Sequence, residues 1–367
     1  MKLGLIELFR KPARFGVAGA SLVLLTVLLL FLGGLLDGLY RSSTGLLRSQ
    51  PAELVVFSSD ARESLIRSRI DPETRAQVEA VPGVRSAGGL GVALVGGRVP
   101  GQDELANLAV VGFEKEPNSM PMLDGVLGPD QAFADRTLEA AGVELGQVIE
   151  VGAARTPVTV IGWVSDTDFL QQGGFWVQPD TWRRILGESR PDANLPPGTF
   201  QVLAVTTEPG ADLALVAAAV DAATGTTTTL TRQDAVLALP GIREQNSTFS
   251  SIIYVTLFVA GLVVALFFAL LTLERIGLYA VFKAIGASTR QIFTGVITQA
   301  VVVALVSFVV GAILILLITQ VLPTGIPIAF EPARLVQTAI GLVVMSALGA
   351  AISLRRVVKV DPASAIG

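Results

Sequence analysis

The sequence predicts an α-helical membrane protein with four transmembrane helices and a large α+β extracytoplasmic domain inserted between helices 1 and 2. Three observations carry this expectation. Uncharged apolar runs lie within residues 15–36, 252–273, 292–322 and 335–354, each reaching the roughly 20 residues with which a helix crosses about 30 Å of hydrocarbon. A polar stretch of more than 200 residues separates the first run from the second. Basic residues gather beside particular ends of the runs. A soluble core helix keeps one wet face and does not need so long an uncharged stretch.

The charge pattern orients the chain. Only 16% of the residues are charged and 51% are hydrophobic, against roughly 25% charged in soluble domains, and the mean hydropathy is +0.63. The net charge of −4 is unevenly spread: residues 37–251 hold 16 Lys+Arg and 27 Asp+Glu, the remainder 11 and 4. Lys2, Arg10, Lys11 and Arg14 precede the first run, Arg275, Lys283 and Arg290 follow the second, and Arg355, Arg356 and Lys359 follow the fourth. The positive-inside rule makes these three segments cytoplasmic. Both termini are then expected inside and the large domain outside. A cleaved signal peptide is not expected, because the first run is too long for an h-region and no small-x-small site follows it.

Residues 1–14 are expected to form a cytoplasmic amphipathic helix, with Leu3, Leu5, Ile6, Leu8 and Phe9 toward lipid. Pro12 is expected to break it before the first span, 15–36. Residues 37–251 form the outer domain with its stalks, and 37–50 continue the span outward. Strands are expected at 53–57, 108–113, 148–151, 157–164, 175–178 and 200–206, and a glycine-containing strand pair at 84–95. Helices are expected at 72–81, with Pro at its first turn, and at 131–141, 181–186 and 213–223. Such mixing over about 210 residues describes one or two α+β lobes. Residues 226–229 read as a loop or edge strand, and 235–251 as a second stalk. The second span is 252–273, a cytoplasmic loop fills 274–291, and the third span is 292–322. A short external loop at 323–334, the fourth span at 335–354 and a cytoplasmic tail at 355–367 complete the chain.

The chain has no cysteine and no histidine. The outer domain therefore holds together without disulfides, and Ser-His-Asp chemistry, Cys-His nucleophiles and the usual zinc sites are excluded. A phosphate-cradling loop needs Gly-x-x-x-x-Gly-Lys-Ser/Thr, and none of Lys2, Lys11, Lys115, Lys283 and Lys359 is followed by Ser or Thr. ATP chemistry is not expected from this chain.

The loop after the second span is an amphipathic segment with cations at 275, 283 and 290, and Gly286-Ala287-Ser288 suits a helix stop followed by a cap. On residues alone it is either a juxtamembrane linker whose cations meet headgroups or a docking segment. Small residues four apart (Gly16 and Ala20, Gly34 and Gly38, Gly261 and Ala265) allow close helix approach, and are either a homodimer interface or only the glycine that is common in membrane helices. Asp37 and Glu244 either mark the membrane edge or bind a ligand. Tyr40 and Tyr254 sit where interfacial aromatic anchors belong. Trp163, Trp176 and Trp182 read as core or lobe surface, not as a ligand box.

The segment Lys283-Ala-Ile-Gly-Ala-Ser288, placed between spans two and three, resembles the cytoplasmic loop of the FtsX/MacB-like permease family, the membrane subunits of a class of ABC transporter. The layout of one span, a large external domain and three further spans is similar as well. The opening residues 3–15 and the strand at 54–58 look like the DevC/HrtB-type branch, and residues 157–163 are similar to that family's external strand-turn pattern. The chain departs from the family at Leu278, where an acidic residue is usual.

The resemblance implies a non-catalytic permease, working as a homodimer with two copies of a separate ATPase that binds ATP and Mg. It implies that the loop is a coupling helix, with Glu274, Arg275, Lys283, Gly286 and Arg290 at or near the ATPase. It implies mechanotransmission of the type VII kind, moving a hydrophobic or amphipathic substrate at a bacterial plasma membrane. The HrtB-like branch raises haem; without His or Cys its iron would need a ligand such as Tyr, and Tyr40 and Tyr254 are the positions to test. The alternative from another class is an FtsX-like transmembrane regulator of an extracellular cell-wall enzyme, without transport. No cofactor in this chain and no nucleic-acid partner is expected.

Overall fold

The computed structural model describes residues 12–114, 127–274, 277, 281, 285–322 and 326–358. The expected amphipathic helix at 1–14 lies almost wholly outside the described residues. The chain divides into two compact units, one of residues 1–38 and 246–367, the other of residues 39–245.

The first unit is a helical bundle. Its helices are the first part of α1 (Pro12–Arg48), most of α6 (Ile242–Glu274), α7 (Thr289–Thr319) and α8 (Pro332–Val358). All four are long and apolar enough to cross a membrane. Pro12 stands at the start of α1, where its missing N–H costs nothing. Leu22, Val264, Phe268, Leu271, Val296, Val303 and Leu342 form the bundle core. Large apolar side chains such as Leu266, Val309, Leu316 and Val344 stay exposed around it, the inverse of a soluble bundle and the surface a bilayer would cover.

Two of the three small-residue pairs are used within the bundle. A Cβ on Gly349 would lie 2.4 Å from the Gly261 carbonyl oxygen and 3.0 Å from the Ala265 nitrogen, so α6 and α8 cross there almost backbone to backbone. Gly34 and Gly38 face residues 327–330. Gly16 has open space, and Ala20 is exposed. A homodimer contact of the kind read from the sequence is left only the Gly16–Ala20 face.

The second unit is the α+β domain, and it has two lobes. β1 (Leu54–Ser58), α2 (Pro72–Glu79), β2 (Val84–Arg98), β8 (Val202–Thr207), α4 (Leu213–Thr224) and β9 (Thr227–Thr231) follow a β-α-β-β-α-β order. Their antiparallel sheet runs β9-β1-β8-β2, the split-βαβ arrangement. Val56, Val78, Leu203, Val205, Val216 and Val220 fill its core. Between β2 and β8 the chain inserts β3 (Leu105–Phe113), β4 (Gln131–Asp135), β5 (Val148–Val151), β6 (Thr156–Val164), β7 (Gly173–Val177) and α3 (Pro179–Ser189). Because β2 pairs with both β3 and β5, the order β2-β3-β7-β4-β6-β5 closes on itself as a ring. Leu108, Val110, Val158, Val160, Phe175 and Trp182 fill that core.

Three expectations are corrected. Residues 84–95 are not a strand pair but part of one 15-residue strand. Its glycines make room: a Cβ on Gly91 would lie 2.0 Å from the Trp182 ring, and one on Gly89 2.2 Å from Phe200. Residues 131–141 are not a helix. Gln131–Asp135 is a strand and Arg136–Ala141 a 3-10 turn capped by Asp135, because pairing with β6 and β7 overrides helix propensity. The second stalk is not continuous: α5 (Arg232–Leu237) stops, and α6 starts at Ile242 after Pro240 and a left-handed Gly241. Trp176 and Trp182 are fully buried, and Trp163 packs against the ring core.

Candidate functional site

Between α6 and α7 the described residues include Glu274, Gly277, Val281 and residues 285–290. Arg275 and Lys283 lie outside them. Gly286 has φ +99°, a conformation that favours glycine, and open space around it. Ser288 caps α7: its hydroxyl accepts the Gln291 N–H at 3.3 Å, while the Gln291 side chain accepts the Ser288 N–H at 2.9 Å. This reciprocal box fixes where α7 begins. Arg290, in the first turn of α7, is exposed, as are Glu274 and Gly286. Val281 is 53% exposed and Ile285 78% exposed. Residues four apart share one face of a helical turn, and the Ile285 N–H donates to the Val281 carbonyl at 3.0 Å. The segment therefore presents two apolar side chains beside a capped, cationic helix start.

At the other end of the bundle, Asp37 is 5% exposed and accepts from Arg334 Nε at 2.5 Å. Its second oxygen has no partner among the described residues. Ala329 donates its N–H to the Gly34 carbonyl at 3.0 Å. A Cβ on Gly38 would stand 2.0 Å from the Pro327 carbonyl oxygen. The sequence offered membrane edge or ligand site for Asp37; the structure makes it a buried ion pair that ties α1 to the start of α8.

Inside the α+β unit, the last turns of α1 sit in a socket formed by residues 166–172. Leu46 N–H donates to Asp168 O at 2.9 Å, Gln171 N–H to Ser42 O at 2.9 Å and Leu170 N–H to Ser43 O at 3.2 Å. Arg41 and Arg48 both pair with Asp166. Gly45 permits this approach, since a Cβ there would lie 2.6 Å from Asp166 O. Asp166, Leu170 and Gln171 adopt positive φ, strained geometry that the surrounding contacts hold in place. Behind the socket, Asp135 accepts from Thr167 and Thr137, and Thr137 donates to Asp168 at 2.8 Å. Burial, then the charge of Asp135, pushes the Asp168 carboxyl up to about 7. Sequence reading passed over this socket; its signal was the acidic turn Ser165-Asp166-Thr167-Asp168 directly after a strand.

Tyr40 belongs to the α+β unit, where it is partly buried against the core that contains Leu46 and Leu47. Tyr254 belongs to the bundle unit and is 71% exposed on α6. Glu244 lies in the first turn of α6.

Residues 250–362 match the family described as FtsX-like permease C-terminal. An uncharacterized ABC transporter permease of Mycobacterium tuberculosis is 46% identical over 112 residues, covering 30% of this chain and 31% of that one. This chain thus spans under a third of that relative. A second uncharacterized ABC transporter permease of the same organism is 29% identical over 357 residues, 92% of this chain and 91% of the relative. A permease of Staphylococcus epidermidis, named HrtB for hemin transport, is 22% identical over 139 residues, 38% of this chain and 40% of that one. Among solved structures, the periplasmic region of MacB from Actinobacillus actinomycetemcomitans aligns with a TM-score of 0.36 and 13% identity over 51% of this chain and 92% of that one.

Proposed function

We propose that this membrane protein, which carries an FtsX-like permease domain over residues 250–362, is the non-catalytic permease subunit of an ABC transporter. It works as a homodimer with two copies of a separate ATPase, which binds ATP and Mg. The protein lies in a bacterial plasma membrane with both termini cytoplasmic. Residues 274–290 dock on the ATPase and move with it. The observation that carries this reading is the pair Val281 and Ile285, exposed on one face next to the capped start of α7. Two such side chains favour burial by about 25 cal/mol per Å² of apolar surface, and an ATPase groove would supply it. The permeases among the relatives support the same assignment.

Motion delivered to α6 and α7 is carried outward along α1 and α6, which run unbroken for 37 and 33 residues. In the α+β unit the three backbone hydrogen bonds and the Asp166 clamp make residues 166–172 move with the end of α1. The cargo is hydrophobic or amphipathic, and haem is the first to test, with Tyr40 and Tyr254 as its ligand candidates. That choice is supported by the name of the Staphylococcus epidermidis relative alone.

The test is reconstitution. The chain in liposomes should bind an ABC ATPase and raise its turnover several-fold, and Ile285→Asp should abolish that gain without loss of the chain from the membrane. An unchanged turnover in the variant rejects the docking face. Haem absorbance unaltered by Tyr40→Phe and by Tyr254→Phe rejects those two ligands.

A further inference from the structure

β2 is paired on both sides for only part of its length. β8 accompanies it as far as Leu90, and β5 joins it only at Gly97. Between them residues 91–95, about 17 Å of strand, pair among the described residues with β3 alone. Glu114 N–H donates to Gly89 O, so antiparallel alternation gives the odd-numbered residues of β2 to β3 and turns the even-numbered ones the other way. The Val92 N–H is taken by the Gln201 side chain at 2.5 Å, and the Gly96 carbonyl by Gly152 N–H at 2.9 Å. The N–H and C=O of Leu94 face the gap, where no strand among the described residues meets them. An open edge of this kind is a template for a further strand.

The gap opens on a cleft of about 310 Å³ lined by residues 92–95, Ile66, Leu186 and Gln201, with Arg67, Arg69 and Arg190 at its wall and Asp192 the one acidic lining residue. Arg69 Nη1 donates only to the carbonyls of Ile66 and Ser68, and Arg67 Nη2 only to Ala61 O. Among the described residues none of the three arginines pairs with a carboxylate. Burial lowers the Arg69 pKa, as for a cation without its counter-charge. These cations converge in a unit, residues 39–245, whose acidic residues outnumber its basic ones 26 to 16.

We propose that the open edge of β2 binds an extended acidic peptide segment, its backbone pairing with Leu94 and its carboxylates meeting Arg67, Arg69 and Arg190. Main-chain pairing gives such sites affinity, and side-chain pockets give them selectivity. Charge complementarity selects the acidic partner, with Arg holding carboxylates in two-point contacts. The proposal does not depend on ATP coupling.

The experiment measures binding of a labelled, end-capped six-residue peptide of alternating glutamate and valine to the full chain in nanodiscs. Arg190→Gln and Arg69→Gln should each weaken binding about tenfold, the worth of a hydrogen bond to a charged group. Leu94→Pro, which removes the N–H facing the gap and leaves β3 pairing intact, should do the same. Arg136→Gln, at an exposed ion pair with Glu139, should change nothing, and the peptide with lysine for glutamate should not bind. Arg190 is exposed, so its variant keeps the test valid if Arg69→Gln fails to fold. Binding unchanged in Arg190→Gln and Leu94→Pro overturns the proposal, as does free glutamate binding as well as the peptide. So does a dimer of this chain that Arg190→Gln dissociates while the peptide never binds, for the occupant is then a second copy.

Discussion

Asp168→Asn isolates one carboxylate behind the stalk socket. Asp168 is 8% exposed, and burial and Asp135 raise its pKa to about 7. Between the ordinary carboxylate value and 7 the folded chain holds a proton that the unfolded chain has released. Stability therefore falls as pH rises through that window and levels off above it. Three pKa units at 1.36 kcal/mol each set an upper bound of about 4 kcal/mol on the fall. Asparagine keeps the shape, and its side-chain oxygen still accepts from Thr137, but it cannot ionise. Near pH 4 the variant should match the wild-type chain or fall slightly below it. By pH 8 it should be the more stable by on the order of 2–4 kcal/mol. The assay is denaturant unfolding of the full chain in detergent, followed by tryptophan emission, for which Trp176 and Trp182 are fully buried reporters. Taking the difference between the two proteins at each pH cancels the other carboxylates. A difference that stays flat from pH 4 to 8, or that grows in the opposite sense, refutes the reasoning.

In the bundle, Arg334→Leu leaves Asp37 buried without its cation and should cost about 3–5 kcal/mol, with Asp37→Leu/Arg334→Leu recovering most of it. Thermal unfolding in lipid checks this, and equal losses in the single and double variants would count against a buried pair. Gly38→Ala drives a methyl into the Pro327 carbonyl and should displace residues 326–330 at about 1–3 kcal/mol, seen as a lower melting point and faster protease cleavage there. Ser288→Ala removes one half of the capping box and should lower stability by about 1 kcal/mol, with ATPase stimulation falling while membrane insertion persists.

The bundle was legible because a bilayer demands long uncharged helices, a pattern no packing detail can hide. The cap at Ser288 was legible because capping is local. The long strand at 84–98 was not: its glycines look like turns, and only the distant Trp182 and Phe200 explain them. Residues 131–135 failed likewise, since partners 28 to 45 residues away decide that they pair as a strand. Of the candidate site, Gly286 and Arg290 were readable as charge and turn chemistry. The Asp166 socket was not, because its arginines lie 118 and 125 residues away in sequence.

The central claim is that the exposed face at 281–290 meets an ATPase. The chain has no cysteine, so Ile285→Cys introduces a single reactive thiol. In membranes that also contain the partner ATPase, a short thiol–amine cross-linker should join this position to the ATPase in a nucleotide-dependent way. A cysteine in place of Leu105, exposed in the α+β unit, should give no such product. Absence of the Ile285→Cys product, or an equal yield from Leu105→Cys, would contradict the account.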